Sequence, residues 1–142
     1  MQQLITDYSL GAVATVDQDG SPAVSPKGTF IIVDESTIAF GDIRSPKTVA
    51  NLQAHPDVEV LFTDVLARRA LRVKGRAEVV PTDHELSGLF AQKWADYWSR
   101  MKHFVAITVE RAELVTSPAY DVGFTAEELR ATYLEQFTAL AE

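Results

Sequence analysis

The stretch Leu71-Arg72-Val73-Lys74-Gly75-Arg76-Ala77-Glu78-Val79 alternates small or apolar residues with charged ones in a period of two. Successive strand residues point to opposite faces, so the pattern predicts a β-strand with one face on a core and the other charged. Upstream, Leu10 to Val16 reads as a strand, Asp17-Gln18-Asp19-Gly20 as a tight turn, and Ala23 onward as the returning strand. Asp-Gly supplies the positive φ that a hairpin turn requires. Gly28 to Val33 and Thr37 to Phe40 form a second pair around the polar Asp34-Glu35-Ser36. Val58 to Phe62, Phe104 to Val109 and Glu113 to Thr116 add further short strands. The connections are too short for repeated βαβ units, so the pattern predicts a mainly β (α+β), antiparallel barrel rather than a parallel sheet.

Three helices interrupt the strands. Ser45-Pro46 predicts a helix start with Ser as N-cap and Pro in the first turn, Val49 and Leu52 on the apolar side, and Pro56 beyond the end. Thr82 with Glu85 reads as a capping box for a helix running toward Met101, with Leu86, Leu89, Phe90, Trp94 and Trp98 at helical spacing. A final helix over about 125–140 starts at Thr125, with Glu128 in the reciprocal cap position and Leu129, Tyr133, Phe137 and Leu140 on one stripe. With no repeat or linker, residues 1–142 read as a single domain.

Composition narrows the function classes. The 142 residues are 46% hydrophobic and 23% charged, enough for one continuous core. Cysteine is absent, which excludes disulfides, iron–sulfur clusters and thiolate zinc sites. His55, His84 and His103 lack metal-ligand spacing, so no metal is expected. Neither a secretory start nor an apolar run of roughly 20 residues is present, so a cytoplasmic chain without membrane contact is expected. A net charge of −7 argues against nucleic acid as a partner and requires that any phosphate be met by a local basic pocket.

Two segments could supply that pocket. Arg44-Ser45-Pro46-Lys47-Thr48 puts two cations at a helix start that is already electropositive, an arrangement an anion would stabilise. The other reading is a cap with two solvated basic side chains. Ser25-Pro26-Lys27-Gly28 places a hydroxyl and an ammonium at a strand end, although a turn with an exposed lysine is the commoner meaning of such a tripeptide. There is no Gly-x-Ser-x-Gly elbow and no Gly-x-Gly-x-x-Gly dinucleotide fingerprint.

In order and spacing, several segments together resemble the FMN-binding split-barrel proteins of the pyridoxamine 5′-phosphate oxidase-like family. These are Leu10 to Val16, Asp19-Gly20-Ser21-Pro22, Ser25 to Gly28, Ser45 to Thr48 with Asn51-Leu52 and Pro56, and Arg72 to Glu78. The match runs from about Leu10 to Thr116 and is to the small single-domain members. It implies a six-stranded antiparallel split β-barrel with short helices, a homodimer, and FMN in a groove between protomers. By position, Ser45, Lys47 and Thr48 match the phosphate-binding turn, with Arg44 as a neighbouring charge. Ser25 and Lys27 match the strand end that reaches phosphate and ring. Phe40 and Gly41 would present backbone groups to the ring, and Arg69 is the cation nearest it. Trp98, or Trp94, lies near where small members set a partner's aromatic against the isoalloxazine, although tryptophans at helical spacing also read as core.

Two departures argue against oxidation of vitamin B6 phosphates. Ala70 stands where those oxidases carry a polar side chain, and the chain ends in an amphipathic helix in place of their arginine- and histidine-bearing motif. The basic row Arg68, Arg69, Arg72, Lys74 and Arg76 reads as a solvated strand face or as a site for a second anion. The implied activity is that of an FMN-dependent oxidoreductase with an unidentified small-molecule electron donor or acceptor, and no side chain is nominated as catalytic. The alternatives are a non-enzymatic FMN-binding electron carrier, a relative binding deazaflavin F420 or haem, and a flavin-free homodimer.

Overall fold

The computed structural model describes residues 1–142. After a short helix α1 (Gln2–Asp7), strands β1 (Gly11–Val16) and β2 (Pro22–Lys27) form the first hairpin. Gly20 takes φ +85° in its turn, donating to the Asp17 carbonyl, while the Asp19 carboxylate accepts from the Ser21 N–H. Strands β3 (Phe30–Asp34) and β4 (Thr37–Asp42) form the second, its turn held by the Asp34 carboxylate on the Ser36 N–H. Helix α2 (Pro46–Ala54), strands β5 (Asp57–Asp64) and β6 (Arg69–Val80), helix α3 (Ser87–Lys93), strand β7 (His103–Thr116) and helix α4 (Ala126–Ala141) follow.

All strand pairings are antiparallel, in the order β2-β1-β5-β6-β7-β4-β3. The strand count is therefore seven, not six: Gly28-Thr29 separates β2 from β3, which then lie at opposite edges of one sheet. The two edges do not pair, so the sheet curls without closing. The curl is visible in the core, where Phe30 of β3 packs edge-on against Phe62 of β5 at 4.8 Å between ring centroids and tilts against Phe40 of β4 at 5.3 Å. Val13, Val60, Leu71, Val73, Val105 and Ile107 complete this interior. Each such side chain contributes roughly 1.5–3 kcal/mol by leaving water. A second core lies between the outer face of β3, β4 and β7 and helix α3, with Phe90 stacked on Phe104 at 4.5 Å.

The alternating stretch is confirmed, with Leu71 and Val73 buried and Arg72, Lys74 and Arg76 exposed. Arg76 pairs with Asp57 at 3.3 Å and Arg72 lies 4.0 Å from Glu113, as on a solvated face. The two short strands expected over residues 104–116 are one strand. Its pairing with β6 shifts at Lys74/Gly75, where Arg111 and Val109 are consecutive partners and Glu110 bulges between them. Gly75 is required there, because a Cβ would strike the Thr108 carbonyl oxygen.

The helix expected from Thr82 to Met101 is much shorter. Thr82 and Glu85 form no cap, α3 spans only Ser87–Lys93, and a separate 3₁₀ turn covers Trp98–Arg100. Gly88 weakens the helix, and Trp94 leaves helical geometry as its indole N–H donates to the Phe30 carbonyl at 2.9 Å. The Thr125 cap does form, its hydroxyl accepting from the Glu128 N–H at 3.2 Å, but the reciprocal half of the box does not: the Glu128 carboxylate accepts from the Thr125 hydroxyl at 3.1 Å and not from its backbone N–H. Of the α4 stripe, Leu129 is buried, Tyr133 lies under the Arg68 guanidinium at 4.5 Å, and Phe137 and Leu140 are exposed. No helix is long and apolar enough to cross a membrane.

Candidate functional site

Three chain segments converge at one end of the sheet: the end of β2 at Lys27, the end of β4 at Gly41 and Asp42, and the start of α2 at Ser45. Lys27 is half-buried, and its ammonium donates to the Ser25 hydroxyl at 2.8 Å and to the Ser45 hydroxyl. Burial holds the Lys27 pKa below the ordinary lysine value, and the charge of Asp42 pulls it partly back. The two candidate segments are thus brought together by the bond between Lys27 and Ser45.

Helix α2 begins at Pro46 with no acidic residue in its first turn and no side-chain cap. Its first backbone bond runs from Val49 N–H to the Ser45 carbonyl, so the helix start keeps its electropositive character for an anion. Lys47 is turned outward, 70% exposed, and pairs with Asp17 at 2.9 Å. That contact raises the Lys47 pKa and lowers that of Asp17. Thr48 and Asn51 are buried beneath the helix start, with the Asn51 amide donating to the Thr15 hydroxyl at 3.1 Å.

Two adjoining cavities open on these groups. One, of about 430 Å³, lies over the first turn of α2 and is lined by Thr15, Asp17, Lys47, Thr48 and Asn51 among others. The other, of about 640 Å³, is lined by Pro26, Gly28, Thr29, Gly41, Ile43, Tyr97 and Arg100. Ser25, Lys27, Arg44 and Ser45 line both. No aspartate or glutamate lines the larger cavity, in a chain whose net charge is −7. Nor do Lys27, Arg44 and Arg100 form any ion pair. Three cations without carboxylate partners make the larger cavity an anion-binding environment.

Ser25, Lys27, Gly41, Arg44, Ser45, Lys47 and Thr48 therefore share the two cavities. Phe40, Arg69 and Trp98 do not line them. The Phe40 ring is wholly inside the core, and the alternation that puts it there turns it from the cavity. Gly41 does face the cavity, but the Thr29 hydroxyl takes its N–H at 3.1 Å and donates to its carbonyl at 3.0 Å. A Cβ on Gly41 would also strike the Met101 sulfur. Arg69 lines other cavities and bonds Asp64 at 3.2 Å. Trp98 is part of the 3₁₀ turn that instead sends Tyr97 and Arg100 to the cavity. Those two residues escape notice in the sequence because a continuous helix assigns its apolar face to the tryptophans. Their only signal is the spacing Tyr97-x-x-Arg100, which is common on helix surfaces.

A family model described as pyridoxamine 5′-phosphate oxidase matches residues 1–136. No curated protein matches the chain. Among solved structures, HupZ of Group A Streptococcus is 26% identical with a TM-score of 0.73, over 82% of this chain and 92% of that one. A candidate pyridoxamine 5′-phosphate oxidase from Lactobacillus delbrueckii is 26% identical with a TM-score of 0.66, over 78% and 88% of the respective chains. An FMN-binding protein from Syntrophomonas wolfei shares the fold at 17% identity and a TM-score of 0.65, over 80% and 82%.

Proposed function

The chain belongs to the pyridoxamine 5′-phosphate oxidase family, and from that premise we propose that it binds FMN in the two adjoining cavities and acts as an FMN-dependent oxidoreductase. The observation that carries this reading is the larger cavity itself, free of carboxylates, lined by Lys27, Arg44 and Arg100, and continuous with the uncapped start of α2. Its volume of about 640 Å³ falls within the range of roughly 300–1,000 Å³ usual for small-molecule sites. The donor set also suits the group. Lys27, the Ser25, Ser45 and Thr48 hydroxyls and the free N–H groups of α2 match a phosphate monoester, while Tyr97, Ile43 and Pro26 offer apolar surface to a ring.

In this reading the flavin supplies the hydride or electron chemistry. The protein holds the phosphate, orients the ring and limits water at the Tyr97 side. Arg69 lies in a different cavity from the phosphate donors, so it reaches a bound ring only from a second copy of the chain. A homodimer is part of the proposal, supported by the exposed apolar side chains Leu114, Val115, Phe137 and Leu140.

The test is a titration of the full chain with FMN and, separately, riboflavin, followed by flavin fluorescence. Two charge-assisted hydrogen bonds to phosphate, at roughly 1.5 kcal/mol each, predict a preference for FMN of about 150-fold. Equal affinity for riboflavin refutes the phosphate site. Loading with F420 or haem, distinguished by absorbance, refutes the choice of FMN. Bound FMN that no nicotinamide donor reduces and no small-molecule acceptor reoxidises leaves a non-enzymatic FMN-binding role instead.

A further inference from the structure

Asp42 ends β4 and lies opposite His103, the first residue of β7. It is 2% exposed, and both carboxylate oxygens are engaged. One accepts from the Ser45 N–H at 2.9 Å, at the residue that opens α2. The other lies 3.1 Å from Nδ1 of His103. The Asp42 backbone carbonyl also accepts from the Lys102 N–H at 2.7 Å, tying the strand end to the residue before the histidine.

His103 is the outer end of this connection. Its side chain is 42% exposed at a further cavity of about 200 Å³, which shares Ser45 and Pro46 with the smaller cavity over α2 and is also lined by Gln53 and Lys102. The charged groups around it are Asp42 from β4 and Lys102 beside it in the chain, while α2 contributes only the neutral Gln53. Lys27 lies beyond Asp42 and feels its charge, and its ammonium donates to the Ser45 hydroxyl. One buried carboxylate therefore touches both the phosphate grip and a solvent-reaching histidine.

A carboxylate beside the start of α2 opposes the binding of a phosphate there, and a cation paired with that carboxylate cancels much of the opposition. Histidine is the side chain that changes charge between about pH 5 and 8. We propose that His103 is a positioning residue for the phosphate grip, acting through Asp42 so that its protonation tightens binding of the phosphorylated ligand at Lys27 and Ser45. This rests on the FMN reading of the cavity above. Neutral His103 still orients Asp42 but leaves its charge uncompensated, so affinity falls as the histidine loses its proton.

The experiment measures FMN and riboflavin affinities of the full chain from about pH 5 to 8 for the wild type, His103→Gln, Asp42→Asn and the double variant. His103→Asn serves as a second replacement should the glutamine variant misfold. Dividing the wild-type FMN affinity by that of the variant cancels the titration of the FMN phosphate itself. The ratio is expected to rise about fivefold from pH 8 to pH 5, an estimate for one screened charge pair at intermediate distance, with no change for riboflavin. In the Asp42→Asn background, replacing His103 should change nothing. A ratio flat with pH, an equal fall for riboflavin, or an undiminished effect in the Asp42→Asn background overturns the proposal. A wild type with no preference for FMN over riboflavin fails before any variant is compared and refutes the underlying reading instead.

Discussion

Replacing Lys27 with methionine keeps most of the side chain's length and apolar stem while removing the ammonium that joins Ser25 to Ser45. In the ligand-free protein two opposing effects nearly cancel. The two hydrogen bonds to hydroxyls are worth about 1 kcal/mol each, and burial of the charge costs a similar amount, so stability should change by less than about 1 kcal/mol. In the complex the same ammonium meets a phosphate. One or two charge-assisted bonds at about 1.5–3 kcal/mol give a loss near 3 kcal/mol, or about 150-fold in Kd for FMN, with riboflavin affinity changed less than about threefold. The assay is equilibrium fluorescence titration with both flavins. Because burial holds the Lys27 pKa below 10.5 in the free protein and a phosphate would raise it, wild-type affinity should fall with rising pH in the alkaline window below 10.5. The methionine variant should lack that fall. Lys47→Ala should cost less than tenfold, since Lys47 is exposed and already paired with Asp17. Loss of riboflavin binding equal to that of FMN, or a greater effect at Lys47 than at Lys27, would refute the reasoning.

Other perturbations test the frame around the site. Asp64 is buried and accepts from the Leu66 and Ala67 N–H groups and from Arg69, so Asp64→Asn should destabilise the fold by about 2–4 kcal/mol in urea unfolding. Burial pushes the Asp64 pKa up, but these hydrogen bonds more than offset it and leave it below 3.8. Its stabilisation is therefore complete above pH 3.8 and lost as pH falls through the lower folded value, an acid loss the asparagine variant should not show. Gly75→Ala should cost about 2 kcal/mol or more, measured as a lower thermal midpoint, because the new Cβ meets a backbone oxygen that cannot yield. Phe137→Glu should convert a dimer to a monomer by light scattering with unchanged far-UV dichroism, and a wild type that is already monomeric sinks the shared-site proposal.

Much of the fold was legible where the controlling interactions are local. The hairpin turns at Asp17 to Gly20 and Asp34 to Ser36 depend on side chains two residues from the backbone groups they bind, and both form. The Thr125 cap of α4 is equally local, whereas α2 starts at Ser45-Pro46 as expected but without the Ser45 cap, because that hydroxyl is taken by Lys27, 18 residues away. Expectation failed where a distant partner intervened. Trp94 breaks the long helix by bonding the Phe30 carbonyl, 64 residues away in sequence. The six-residue α1 depends on the core position of Ile5 and leaves only a weak sequence pattern.

The candidate site divides along the same line. By itself the sequence determined that strands dominate, that their faces alternate, and that Ser25, Lys27, Ser45 and Thr48 lie at element ends where backbone groups remain free, because period and capping are set within a few residues. Only the tertiary structure decided that Lys27 rather than Lys47 faces the cavity without a carboxylate, that Tyr97 and Arg100 join it, and that Arg69 and the Phe40 ring do not. The strand order of the sheet and contacts such as Trp94 with the Phe30 carbonyl, 64 positions apart, bring these residues together, which no local pattern encodes.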